Sequence, residues 1–140
     1  MQNTFDAVIY VNVLEHIEDD RKELSLMHQS LTNEGYALIF VPALSSLYSE
    51  LDRKLGHFRR YHKKHLAQLI QDAGFKIVKA TYFDLVGIVP WYIFFVLMKK
   101  TMTGANVHLY DNTIVPIMRK IEALISPPVG KNLLFIAKKV

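Results

Sequence analysis

Cysteine is absent from this sequence of 140 residues, and glycine is scarce. Without cysteine the chain has no disulfide bonds and no thiolate metal ligands, which favours a cytoplasmic protein over a secreted one. The six glycines never form the pattern G-x-G-x-G. No glycine-rich cofactor-binding turn can therefore be placed in this sequence.

A large excess of one charge is also lacking, since 17 Lys and Arg stand against 13 Asp and Glu, for a net charge of +4. The basic residues are scattered, with the highest local density at RKLGHFRRYHKKH. This distribution favours contact with anions or an anionic lipid surface, and no nucleic-acid partner is predicted. The hydrophobic content of 51% excludes disorder. We expect one domain over residues 1–140.

Strands and helices alternate along the first two-thirds of the chain. FDAVIYVN and YALIFVPA are apolar runs of the kind that fill a sheet covered on both faces, and KIVKATYF also alternates like a strand. NLLFIAKKV is predicted as a last strand at or near an edge. This order predicts an α/β fold with a mainly parallel sheet and flanking helices.

Two amphipathic helices are predicted between these strands. The segment IEDDRKELSLMHQSLTNEG places Leu24, Met27 and Leu31 at helical spacing, and Gly35 is its predicted stop.

The second helix, KKHLAQLIQDAGF, has an apolar face of Leu66, Leu69 and Ile70 and ends in a turn at Gly74.

Two motifs resemble the second half of a class I S-adenosylmethionine-dependent methyltransferase. The segment FDAVIYVNVLEHIEDDRKELSLMHQSLTNEGYALIFVPA is similar to the fourth and fifth strands of that family, and YSELDRKLGHFRRYHKKHLAQLIQDAGFKI resembles a subgroup with a GHxRRY motif after the fifth strand. The resemblance implies a partial Rossmann-like fold that lacks the N-terminal strands. It also implies S-adenosylmethionine as cofactor.

Two motifs that hold the cofactor in other members of this family cannot be placed in this sequence. They are the glycine-rich turn after the first strand and the acidic residue that ends the second strand. The chain is therefore expected to be a fragment, a truncated gene product or a half that needs another chain. We expect weak or no binding of S-adenosylmethionine by the chain alone.

The cofactor-binding residues are expected directly after the first apolar strand. Ligands of open α/β sheets bind beyond the carboxyl ends of the strands, which assigns Asn12, Val13, Leu14 and His16 to the cofactor cleft, much of it through backbone atoms. Alternatively, Glu15 accepts hydrogen bonds from nearby backbone amides while His16 packs against the sheet. The ubiquinone-biosynthesis O-methyltransferases hold a divalent metal with a similar Glu-His and an acid three residues earlier. Asn12 occupies that earlier position, so no metal site is predicted.

The catalytic residues are predicted in GHFRRY. Imidazole is the side-chain group best suited to general-base catalysis near neutrality, which makes His57 the candidate base, while Arg59 and Arg60 suit the binding of a carboxylate or phosphate. Tyr61 adds a phenol to this catalytic set.

A structural alternative stays open for these residues. In it, Arg59 or Arg60 pairs with Asp52 or Glu50 and the ring of Tyr61 packs in the loop. Asp52 is also a candidate to orient His57 or an arginine.

The third feature is the uncharged run from Leu85 to Met98. It is shorter than the ~20 residues that span a bilayer, and Pro90 interrupts it. It is either a helix buried on a core or a dimer interface, or an interfacial helix that forms a lid over a lipid-like acceptor. The lid would include the loop MTGANVHLYDN and the helix TIVPIMRKIEALI, over residues 85–125. Peripheral membrane contact and self-association are therefore expected.

Two functions follow from the sequence. The first is methyl transfer from S-adenosylmethionine to an oxygen or nitrogen of a small or lipid-linked acceptor. The alternative is a non-catalytic remnant that binds itself, a partner or a membrane through its apolar surface.

Overall fold

A computed structural model describes residues 4–100 and 127–140 and the single positions 112, 116 and 120. The strands in this part of the chain are β1 (Phe5–Val11), β2 (Leu31–Pro42), β3 (Phe75–Phe83) and β4 (Asn132–Lys139). The helices are α1 (Asp20–Ser30), α2 (Glu50–Lys54), α3 (Lys63–Asp72) and α4 (Ile88–Trp91), and α4 continues as a π-helical segment, Tyr92–Leu97. Short 3₁₀ turns lie at Leu14–His16 and Ser45–Leu47.

The four strands form one sheet in the order β1-β2-β4-β3. The α/β fold with flanking helices is confirmed. β1 and β2 are parallel, whereas β4 pairs antiparallel with both β2 and β3. β1, β2 and β3 thus share one direction, as expected for strands joined through helices. The sheet is nevertheless not mainly parallel in its pairings, because β4 inserts between β2 and β3. β4 is consequently next to the edge strand rather than at the edge.

Helices α1 and α3 cover one face of the sheet and form the core with it. α1 contributes Leu24 and Met27, and α3 contributes the predicted apolar face. The buried core residues are Leu14, Leu24, Met27, Leu31, Ala37, Ile39, Val41, Ala43, Tyr61, Leu66, Leu69, Ile70, Phe75, Leu133, Phe135 and Ala137. The turn at Gly74 is confirmed by a φ of 93°, a value that glycine adopts without strain.

The predicted end of the first helix is wrong. α1 ends at Ser30, and Leu31 already begins β2. Gly35 lies within that strand, and a Cβ there would come within 2.9 Å of the carbonyl oxygen of Thr32. Gly35 is therefore needed for a close backbone approach, not as a helix stop.

β1 is more exposed than predicted. Ile9 and Val11 are 64% and 53% exposed, while Val8 and Tyr10 pack against the core from the other face. Among the described elements, no helix covers the outer face of β1 and no strand pairs with its outer edge. The expectation of a sheet covered on both faces is wrong for this strand in the described chain.

The apolar run from Leu85 forms α4 and the π-helical segment, in which no residue is buried. No helix among the described residues is long and apolar enough to cross a membrane. Apart from positions 112, 116 and 120, the predicted loop MTGANVHLYDN and helix TIVPIMRKIEALI lie outside the described residues.

Candidate active-site cleft

A cleft of about 360 Å³ lies where the first parallel strands end. At the end of β1, the backbone N–H of Asn12 donates to the carbonyl of Phe40 in β2 at 2.9 Å. Asn12 has a φ of 52°, a conformation that asparagine tolerates better than most residues. The cleft is lined by Asn12, His16, Phe40, Pro42, Leu55, His57, Arg60, Trp91, Lys131 and Asn132.

The short helix α2 delivers His57 to this cleft. Ser49 caps the helix through a reciprocal pair of hydrogen bonds with Asp52. Gly56, with a φ of 80°, reverses the chain after the helix, and the His57 N–H then donates to the Asp52 carbonyl at 3.0 Å. The Nδ1 atom of His57 lies 2.9 Å from Oδ1 of Asp52. This contact orients the ring and leaves Nε2 as the nitrogen that can accept a proton. It agrees with the predicted role of Asp52 in orienting His57.

Asp52 is buried and is held by a buried arginine. Nε and Nη2 of Arg60 lie 3.0 and 2.9 Å from Oδ1 of Asp52, and Nη1 donates to the carbonyl of Ala43 at 3.2 Å. Burial by itself would raise the pKa of Asp52. The charge of Arg60 and the hydrogen bonds from Arg60, Ser49 and His57 outweigh it and hold the pKa below its ordinary value. Asp52 is therefore an anion at neutral pH, and an anion beside His57 stabilises the imidazole when it gains a proton.

Arg59 and Tyr61 point away from the cleft. Arg59 donates to Oδ2 of Asp20 and to the Glu18 carbonyl, both at 2.6 Å. The hydroxyl of Tyr61 donates to the same Asp20 oxygen at 3.1 Å, and burial raises the pKa of this phenol. These bonds fasten the loop to the start of α1.

The structural alternative for the arginines is thus observed in part, because Arg60 pairs with Asp52 whereas Arg59 pairs with Asp20 instead of Asp52 or Glu50.

Some of the predicted cofactor-binding residues line the cleft and others do not. Asn12 and His16 line the cleft, whereas Val13 is not among its lining residues. Leu14 is fully buried in the core, and its carbonyl accepts hydrogen bonds from Ile17 and Tyr61. The side chain of Leu14 is therefore not part of the cleft wall, and cofactor contact through its backbone stays a prediction.

Glu15 is fully buried, and neither of its carboxylate oxygens has a hydrogen-bond partner among the described residues. Burial raises the pKa of Glu15, and its own amide and the nearby His57, His16 and Arg60 oppose that rise. His16 is exposed and packs edge-on against His57, with ring centroids 4.7 Å apart, rather than against the sheet.

Six of the lining residues were not predicted as site residues, and Trp91 and Lys131 are the two of these that contact each other and Arg60 or Asp84. The ring of Trp91 lies against two cations, with the Arg60 guanidinium 4.7 Å and the Lys131 Nζ 4.8 Å from its centroid. Lys131 also pairs with buried Asp84 at 2.7 Å. Trp91 is the single tryptophan of the chain, and its place in an uncharged run was the only available signal.

Comparison with known proteins places the sequence of this chain in a family. Residues 1–80 match the family model described as a methyltransferase domain. No sequence of a curated protein matches the chain significantly.

Among solved structures, the chain is similar to a SAM-dependent methyltransferase from Archaeoglobus fulgidus, with 23% identity and a TM-score of 0.57. It is also similar to an S-adenosylmethionine-dependent methyltransferase from Mesorhizobium loti, with 15% identity and a TM-score of 0.59. A third similar structure is phosphoethanolamine N-methyltransferase 2 from Haemonchus contortus in complex with S-adenosyl-L-methionine, with 17% identity and a TM-score of 0.56. The alignments cover 99% of this chain, and 61%, 63% and 34% of those three chains.

Proposed function

Because this chain belongs to the methyltransferase-domain family, we propose that it supplies the acceptor side of an S-adenosylmethionine-dependent methyltransferase site. The methyl group passes to an oxygen or nitrogen of a small or lipid-linked acceptor. The observation that carries the proposal is the Asp52–His57 pair on a cleft beside the end of β1. In open α/β sheets, ligands bind at this edge.

In the proposed reaction His57 takes the acceptor proton. Its Nδ1–H donates to the Asp52 carboxylate, so the lone pair on Nε2 accepts the proton of the acceptor's O–H or N–H group. Bound S-adenosylmethionine would supply an electrophilic methyl group to the acceptor atom, with the thioether as leaving group. The Asp52 anion stabilises the imidazolium, as in other His–carboxylate pairs.

Arg60 acts in this proposal through Asp52. Its donors are directed at Asp52 and the Ala43 carbonyl, which makes it a positioning residue rather than the anion clamp suggested by its sequence. Arg59 and Tyr61 are assigned to holding the loop against α1.

Cofactor binding by this chain alone is proposed to be weak. The chain has no G-x-G-x-G turn, and it spans about three-fifths of the Archaeoglobus and Mesorhizobium structures. A partial methyltransferase domain accounts for both facts. The GHxRRY motif is the basis for proposing the subgroup.

The lipid-linked class of acceptor is favoured by the apolar segment 88–98, the described part of the proposed lid, which borders the cleft through Trp91. Val89 and Leu97 are 64% and 60% exposed, and exposed Lys99 and Lys100 follow. Such a segment suits peripheral contact with an anionic lipid surface, and no nucleic acid is proposed as partner.

The second candidate function is a non-catalytic module that self-associates or binds a partner. It is favoured by the uncovered outer face of β1 together with the exposed segment 88–98.

A methyl-transfer assay tests the enzyme proposal. The chain is incubated with S-adenosylmethionine labelled on its methyl group and with matched small and lipid-linked alcohols, phenols and amines. His57→Ala is expected to lower turnover by about 10²–10⁴-fold, as for loss of a general base. His65→Ala removes an exposed imidazole of α3 and should leave turnover unchanged.

If His57→Ala keeps wild-type turnover, the base assignment is wrong. If the wild-type chain transfers no methyl group to any acceptor even at millimolar S-adenosylmethionine, which offsets weak cofactor binding by the chain alone, the non-catalytic function is favoured.

A further inference from the structure

We propose that Glu15, His16 and His57 bind a divalent transition-metal ion, with zinc as the expected best fit. One ligand atom from each of these side chains lies within 4.8 Å of the other two. Two ligands of one tetrahedral zinc ion are separated by about 3.4 Å. The separations therefore need to shorten by at most about 1.4 Å for all three atoms to reach one ion.

The buried carboxylate is the first independent indication. Glu15 is completely buried, and both of its oxygens lack a hydrogen-bond partner among the described residues. Buried polar groups are nearly always paired, because an uncompensated buried charge is costly. A cation beside Glu15 would supply the missing partner.

The orientation of His57 is the second indication. Its Nδ1 contacts Oδ1 of Asp52 at 2.9 Å, and Asp52 is itself held by Arg60 and Ser49. Histidines that bind metals usually donate their other ring N–H to such a carboxylate. The arrangement leaves the Nε2 lone pair of His57 available to a ligand.

The donor set selects the ion. Two imidazoles and one carboxylate are a common set for zinc with one position left open, and they are poor ligands for calcium or magnesium. His16 and His57 also line the cleft, so the ion would lie at its wall. A bound ion and an acceptor proton compete for the same lone pair of His57. Metal binding and the general-base role are therefore mutually exclusive states of the site.

The test is a zinc titration of the tag-free chain after removal of metal with a chelator. Calorimetry is expected to show one zinc ion per chain at micromolar or lower dissociation constant. Cobalt(II) should give the visible absorption of a four-coordinate ion. Glu15→Gln, His16→Gln and His57→Gln should each weaken zinc binding at least about tenfold, the size of effect seen even for residues behind the ligands.

The matched control is the double variant His62→Gln, His65→Gln, which removes two exposed imidazoles and should bind zinc like the wild type. Glu15→Gln removes a buried charge and is expected to keep the fold, which circular dichroism checks. Absence of saturable zinc binding by the wild type overturns the proposal. So does a folded Glu15→Gln variant that binds zinc normally. Neither cofactor nor acceptor is present, so this result is independent of the methyl-transfer assay.

Discussion

At the scale of single residues, Asp52 links the stability of the loop to the proposed chemistry. It caps α2, pairs with Arg60 and orients His57, all with its side chain 1% exposed. Buried ion pairs are not strong sources of stability by themselves, but removing one partner leaves the other charge uncompensated. Loss of the Asp52 carboxylate is thus destabilising mainly because it leaves the buried charge of Arg60 uncompensated.

We predict that Asp52→Asn lowers the free energy of unfolding by about 3–5 kcal/mol, the range for breaking a buried pair from one side. Urea unfolding followed by circular dichroism measures it. Glu50→Gln is the control, because Glu50 pairs with Arg53 at the surface, and it should leave stability unchanged. Equal stability of the Asn variant and the wild type would show that Arg60 finds another partner.

At the scale of secondary-structure elements, His28 connects α1 to the turn between α3 and β3. Its ring packs edge-on against Phe75 at 5.0 Å, and a Cβ at Gly74 would lie 2.9 Å from its Nε2. Burial, and then the charge of Lys139 on β4, lowers the pKa of His28. This junction is therefore most stable with a neutral imidazole.

The sign of the pH effect follows from that direction. A lowered pKa in the folded state means that His28 stabilises the fold fully above its unfolded pKa, about 6.5. That contribution is lost as the pH falls below this value, because the unfolded chain binds the proton more readily. We predict that stability falls less steeply from pH 7.5 to pH 5 in His28→Gln than in the wild type. His65→Gln, which alters an exposed histidine, should keep the wild-type slope. Identical slopes in all three proteins would contradict the assignment.

At the scale of the whole molecule, two apolar surfaces stand uncovered in the described chain. One is the outer face of β1, with Ile9 64% exposed, and the other is the apolar segment 88–98. Monomers seldom leave a strand edge and an apolar patch exposed together. Both features favour self-association.

We predict that the chain is dimeric or larger in light-scattering measurements well above micromolar concentration. Ile9→Lys places a charge on the β1 surface and should shift the mass toward the monomer. Leu26→Lys, at a 48% exposed position of α1, should not. A monomeric wild type would count against any role of these surfaces in association.

Local pattern predicted the strands and α3 because each carries its own periodicity. It did not predict that β4 inserts between β2 and β3, since pairing between distant segments leaves no local trace. The exposure of β1 was missed for the same reason. Within the site, the Asp52–His57 contact was anticipated because the residues are five apart. The approach of Glu15 to His57 was not, because it depends on how two loops meet at the end of the sheet.

The position of β4 has a consequence for how the protein is made. β3 pairs only with β4 in the described sheet, and Ile39 in β2 pairs with Phe135, near the other end of the sequence. Non-local pairings of this kind form slowly, because a long loop must close before any contact compensates for it. On the ribosome, β1, α1 and β2 emerge long before their partner strand. Until β4 is synthesised, β2 and β3 both keep an open edge, and a chaperone that shields such edges would act in that interval.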